Sequence, residues 1–132
     1  MGVKMAKEAA ARNGKYWIDS TLGIVRWAYN PGTPRATLED AQENHRVVGE
    51  LLAGQKLPFL CDLRNCAHLD QDARKFYAGK ETADLYKAMA LLGGTPLSNM
   101  IGNIYLAVNR TSVPTKLFTS EADAIAWLRG FV

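Results

Sequence analysis

The sequence predicts a single α/β domain: a mostly parallel sheet with an antiparallel hairpin at its N-terminal end. Three observations carry that expectation. After residue 37, short β-branched and aromatic runs alternate with longer segments whose apolar residues fall at helical spacing, the signature of strand–helix–strand units. The first two strand-like runs, "KYWID" and "GIVRWAY", are separated only by the turn-forming "STLG", which suits a hairpin rather than a crossover. A chain of 132 residues fits one domain with one hydrophobic core.

Taken in order, residues 1–13 are alanine-rich, with Glu8 and Arg12 at helical spacing. They read as a tail or short helix ahead of a domain at 14–132. They hold no apolar signal-peptide core, and Ala6 stands where a myristoylation pattern wants Ser or Thr. The hairpin follows, and "NPGTPRA" stops its second strand. Thr37 and Asp40 stand in capping-box spacing. The helix they open sets Leu38, Ala41, His45, Val48 and Leu52 on one stripe, with Glu39, Glu43, Arg46 and Glu50 opposite. "FLCDL" is a continuous apolar run, as expected of a buried parallel strand.

A second cap at Asp70 opens a helix that buries Ala73, Phe76 and Tyr77. Gly79 interrupts it, "KETADLY" adds about another turn, and "KAMALLGG" is the next buried strand. In "TPLSNMIGNIYLAVNR" the apolar residues Leu97, Met100, Ile101, Ile104, Tyr105 and Val108 predict a helix rather than a strand. Pro114 opens the strand "TKLF", and Ser120 with Asp123 caps a last helix carrying Ile125, Trp127 and Leu128. The expected order is β-β-α-β-α-β-α-β-α, five strands and about four helices.

Composition excludes several functions. The 16 basic and 13 acidic residues, net +3, are interspersed, with no basic run to track a phosphate backbone, so nucleic acid is not an expected partner. No stretch approaches the roughly 20 apolar residues of a membrane span, and the expected compartment is the cytoplasm. Cys61 and Cys66 are spaced C-x4-C, matching neither redox nor zinc pairs. Both are expected as free thiols, Cys61 shielded in a strand and Cys66 reactive in a loop. His45 and His68 are too far apart, and too poor in companion ligands, to suggest a metal. Gly93-Gly94-Thr95 precedes a helix but lacks the Lys-Ser/Thr ending of a phosphate loop. No cofactor is expected.

Functional groups crowd one junction, "CDLRNCAHLDQDARKFY" at 61–77. Its candidates are Asp62, Arg64, His68, Asp70, Gln71, Asp72 and Arg74. His68 with Asp70 or Asp72 forms an acid–base pair on paper, but no nucleophile accompanies it. Asp62, at a strand end, is suited to accept loop N–H groups or to face Arg64 or Arg74. The plain reading is a well-made turn, and no catalytic constellation marks the chain as an enzyme.

The segments "GIVRWAYNPGTPRATLEDA", "FLCDLRN" followed by "DARKFYA", and "NMIGNIYLAVNRTSVPTKLFTSEADAIAWL" resemble the STAS (sulfate transporter and anti-sigma-factor antagonist) and SpoIIAA-like superfamily, which includes the lipid-binding CRAL-TRIO domains. More narrowly they are similar to small bacterial STAS-like proteins of unassigned function. The resemblance implies a SpoIIAA-like (β-α)n superhelix. In anti-sigma-factor antagonists the matching junction carries a phosphorylatable serine at the helix start. Here Gln71 or Asp72 takes its place, and no Ser or Thr lies between Asp62 and Thr82. By fold-level analogy, a non-enzymatic regulatory or protein-interaction module is the leading reading. A small-molecule or lipid carrier is the alternative. A homodimer is expected through hairpin aromatics left accessible, namely Tyr16, Trp17, Trp27 and Tyr29, with Leu106 as a second anchor.

Overall fold

The computed structural model describes residues 7–132. Its elements are β1 (Glu8–Ala11), β2 (Gly14–Asp19), β3 (Ile24–Tyr29), α1 (Leu38–Leu52), β4 (Leu57–Asp62), α2 (Gln71–Ala78), α3 (Lys80–Leu85), β5 (Tyr86–Leu92), α4 (Pro96–Val108), β6 (Thr115–Phe118) and α5 (Glu121–Leu128), followed by a 3-10 turn at Arg129–Phe131. The strands lie side by side in chain order. β1, β2 and β3 pair antiparallel, and β3 through β6 pair parallel.

This topology explains the layers. Each new parallel strand is added on the same side of its predecessor, so right-handed crossovers bring every connecting helix to one face of the sheet. On that face Val25, Trp27, Tyr29, Phe59, Met89 and Leu91 meet Val48 and Leu52 of α1, Ala73 of α2, and Ile101 and Tyr105 of α4. Among the described residues α5, which no strand follows, covers the other face together with Phe131 of the 3-10 turn. There Ile24, Leu60, Ala88, Ala90 and Leu92 pack on Ala124 and Leu128, and the two sheet alanines let the helix sit close.

Two sequence expectations are corrected. The alanine-rich segment does not form a helix at 8–11; it is strand β1, with Glu8 opposite Trp17 and Ala11 opposite Gly14. Residues 1–6 of the expected tail lie outside the described residues. Alanine's helix propensity, a few tenths of a kcal/mol per residue, is outweighed by hydrogen bonding to β2 and by α1. The Arg12 Nε donates to Asp40 Oδ1 at 2.8 Å and the Arg12 backbone N–H to Glu43 Oε1 at 2.9 Å. Among the described residues the sheet therefore has six strands, not five. Gly79 interrupts the next helical region as expected, its extended backbone dividing α2 from α3, so the described residues hold five α-helices rather than four.

The capping box at Thr37 forms as expected, each partner's side chain reaching the other's backbone N–H. Thr95 and Ser98 make another at α4. In β4, Pro58 is fully buried, and the pairing with β5 shifts register between Leu57 and Phe59. A proline has no N–H for a central ladder and is accommodated by such an irregularity.

Candidate functional site

At the 62–74 junction every acidic group with a base in reach is paired. Asp62 accepts from the Arg64 backbone N–H at 2.9 Å and from its guanidinium at 2.7 to 3.2 Å. That carboxylate holds Arg64 charged even more firmly than usual. Asp70 occupies the N-cap position of α2 but makes no side-chain cap bond. Its carboxylate instead accepts from Arg35 Nε at 2.7 Å, and His68 Nε2 lies 3.2 Å away. Gln71 and Asp72 are exposed on the first turn, while Arg74 turns back to donate to the Leu69 carbonyl at 2.8 Å.

Beneath these pairs, Ala36 and Leu69 form an isolated parallel bridge, with Ala36 N–H to His68 O at 2.8 Å and Asp70 N–H to Ala36 O at 3.0 Å. The entrances of α1 and α2 are thereby laced together. His68 meets a carboxylate but no nucleophile, because Cys66 is buried. Its thiol is pushed up by burial, against the expectation of a reactive loop cysteine; although the backbone there is a loop, the side chain points into the core. The contacts shown at the junction are ones that organise a turn. A shallow surface cleft of about 290 Å³ adjoins it at the carboxyl ends of the strands, lined by Thr33, Pro34, Arg64, Asn65 and Leu97 among others.

The aromatic interface expected at the hairpin is not on the surface. Tyr16, Trp27 and Tyr29 are 2 to 5% exposed, because their side of the hairpin is the side that all connecting helices cover. Tyr16 and Trp27 lie ring to ring at 4.4 Å, and Trp27 meets Tyr29 edge-on at 5.2 Å. Trp17, on the opposite side, is half-buried beneath the cations of Lys15 and Arg26. Leu106 packs against the core.

Exposed apolar surface lies instead along α4. Ser98, Ile101, Gly102 and Tyr105 face inward. Gly102 lets the helix come so close to β6 that an added Cβ would stand 2.7 Å from Leu117 Cδ1. Leu97, Met100, Ile104 and Val108 are 39 to 63% exposed along the outward side. Helical spacing alone counts these four toward the core. The sequence signal that marks them out is that α4, "PLSNMIGNIYLAV", holds no charged residue at all, whereas an ordinary surface helix is polar on its outer face.

Among the described residues no group of three or more His, Cys, Asp or Glu is placed to hold a metal. No helix there is long and apolar enough to cross a membrane. Between the sheet and the helices lies an interior cavity of about 40 Å³, space for a few atoms and not for an acyl chain.

A six-stranded sheet grown strand by strand, with its connecting helices on one face and the last helix on the other, places this chain among SpoIIAA-like folds. A structure similar to it is that of an uncharacterized protein from the DUF3478 family with a SpoIIAA-like fold from Shewanella loihica PV-4. That protein is 20% identical, with a TM-score of 0.53 over 97% of this chain and 98% of that one. The chain belongs to the family described as domain of unknown function DUF7793, whose model matches residues 16–132. No curated protein matches it.

Proposed function

We propose that this protein is a non-enzymatic, STAS-like interaction module that works through the outer face of α4, and that a second copy of the chain occupies that face. The observation carrying this reading is the stripe of Leu97, Met100, Ile104 and Val108 on a helix without charge. At 1.5 Å per residue the stripe runs about 16 Å along the axis. Apolar surface of this kind, left in water, marks an interface.

Charge favours a second copy over a charged partner. Each chain carries a net +3, so two copies repel over most of their surfaces, but an uncharged helix meets itself without like charges in opposition. A two-fold axis across α4 makes one patch serve both partners. The junction at 62–74 supports this reading indirectly: Asp62 and Asp70 are neutralised inside the chain, which leaves the loop a structural part.

Sedimentation of the wild-type chain and of Met100→Lys and Ile104→Lys tests it. The expected result is a dimer at high micromolar concentration, converted to monomer by either lysine with circular dichroism unchanged. A wild-type monomer under those conditions, or a dimer indifferent to both lysines, overturns it.

A further inference from the structure

All five tyrosines of the chain, Tyr16, Tyr29, Tyr77, Tyr86 and Tyr105, line the interior cavity, together with Trp27, Phe59, Met89, Ile101 and Asn44. None of its lining residues is a carboxylate or a cation, and burial raises the tyrosine hydroxyls above their ordinary range, so they stay neutral. Two polar groups on this wall stand out. Asn44, 1% exposed, donates its Nδ2 to the Tyr77 hydroxyl at 2.8 Å, and its Oδ1 has no partner among the described residues. Tyr105, 3% exposed, reaches the same cavity from α4, and its hydroxyl likewise has no partner there. Buried orphans of this kind are rare, because each forfeits its hydrogen bonds to water.

We propose that the cavity is a binding site for a small neutral molecule that bears a hydrogen-bond donor and acceptor on a short apolar body, a simple primary amide being the type. Volume sets the size. About 40 Å³ corresponds to roughly three water positions, hence a ligand of about three or four non-hydrogen atoms. Each buried water needs about three hydrogen bonds, whereas among the described residues only two buried polar atoms of this wall, Asn44 Oδ1 and the Tyr105 hydroxyl, are left without a partner to offer a cluster of three. One molecule with a carbon body satisfies the same space with fewer polar contacts. An amide N–H fits the acceptor at Asn44 Oδ1, and an amide carbonyl fits the Tyr105 hydroxyl as donor. A charged ligand is excluded because nothing on the wall would balance it. This site is separate from the outer face of α4, so it stands or falls independently of self-association.

The test is a titration of the full chain with acetamide, followed by nuclear magnetic resonance of backbone amides and side-chain rings. The expected result is weak but saturable binding. Shifts should concentrate at Asn44, Tyr77, Ile101 and Tyr105, with nuclear Overhauser contacts from the acetamide methyl to the Tyr105 and Phe59 rings. Tyr105→Phe, which keeps the ring, and Asn44→Leu should each weaken binding at least about ten-fold, the loss expected when a buried hydrogen-bonding group goes unpaired. If Asn44→Leu fails to fold, Tyr105→Phe and the methyl contacts decide. Shifts that never saturate, binding indifferent to Tyr105→Phe, or long-lived interior water with no acetamide contact would each overturn the proposal.

Discussion

Replacing Asp40 with alanine should cost about 2–3 kcal/mol of stability at neutral pH, for reasons that also set its pH dependence. Asp40 is 2% exposed. Its Oδ2 accepts from the Thr37 backbone N–H at 3.0 Å and the Thr37 hydroxyl at 3.1 Å, while its Oδ1 pairs with the Arg12 guanidinium. Burial alone would raise this carboxyl, but the hydrogen bonds from Arg12 and Thr37 prevail and hold it below the ordinary 3.8. Hydrogen bonds to a charged group contribute about 1.5–3 kcal/mol, whereas the cap bond from the residue-40 backbone N–H to the Thr37 hydroxyl survives the substitution. The Arg12 side chain, 65% exposed, is screened by water and adds little to that figure. At about 2.1 cal/mol/K of unfolding entropy per residue, the loss corresponds to a drop of about 7–11 °C in Tm.

A carboxyl whose pKa is lower in the folded state binds fewer protons there, so its contribution is fully present above the unfolded value. It declines as pH falls below 3.8 and is lost once pH passes through the still lower folded value. Thermal and urea unfolding of wild type and Asp40→Ala across this range should show the gap closing in acid. A gap under about 0.5 kcal/mol at neutral pH, or one that stays constant well below the ordinary carboxyl value, would refute the reasoning.

Gly14→Ala should unfold or nearly unfold the chain, because its Cβ would stand 2.3 Å from the Ala28 carbonyl oxygen and 2.6 Å from the Trp27 ring. The strands would have to part at about 3 kcal/mol or more, so an unchanged melting curve would show that the β2–β3 register is wrong. Cys61 and Cys66 should both react slowly with thiol reagents until denaturant is added, since burial raises both thiols; labelling of Cys66 at the rate of an unfolded thiol would place it outside the core. His68→Ala should change stability by less than about 0.5 kcal/mol, because the ring is 58% exposed and only brushes Asp70. A larger loss by calorimetry would mean that the loop depends on that pair.

Patterns local in the chain are legible in its amino-acid order. Periodicity separates the α4 region from a strand although it holds Ile104, Tyr105 and Val108, and side-chain spacing locates the Thr37–Asp40 box, which forms. It also divides the hairpin correctly, with Val25, Trp27 and Tyr29 on one side and Ile24 and Arg26 on the other, because a strand alternates by geometry alone. What that alternation does not say is which side will be covered. All connecting helices gather on the Trp27 side, so three of the four rings expected at an exposed interface, Tyr16, Trp27 and Tyr29, form the core instead. The spacing of α4 likewise marks an apolar arc without its width. The sheet covers only the line of Ser98, Ile101, Gly102 and Tyr105, and Leu97, Met100, Ile104 and Val108 are left in water. The sequence by itself determined which segments become strands or helices from residue 14 onward, since those preferences act within a few residues. Tertiary structure alone decided that Glu8–Ala11 is a strand, that Asp70 turns from its helix to Arg35, and that five tyrosines meet around one cavity. Each of these depends on groups distant in sequence, and the balance of their contacts exists only once the layers have packed.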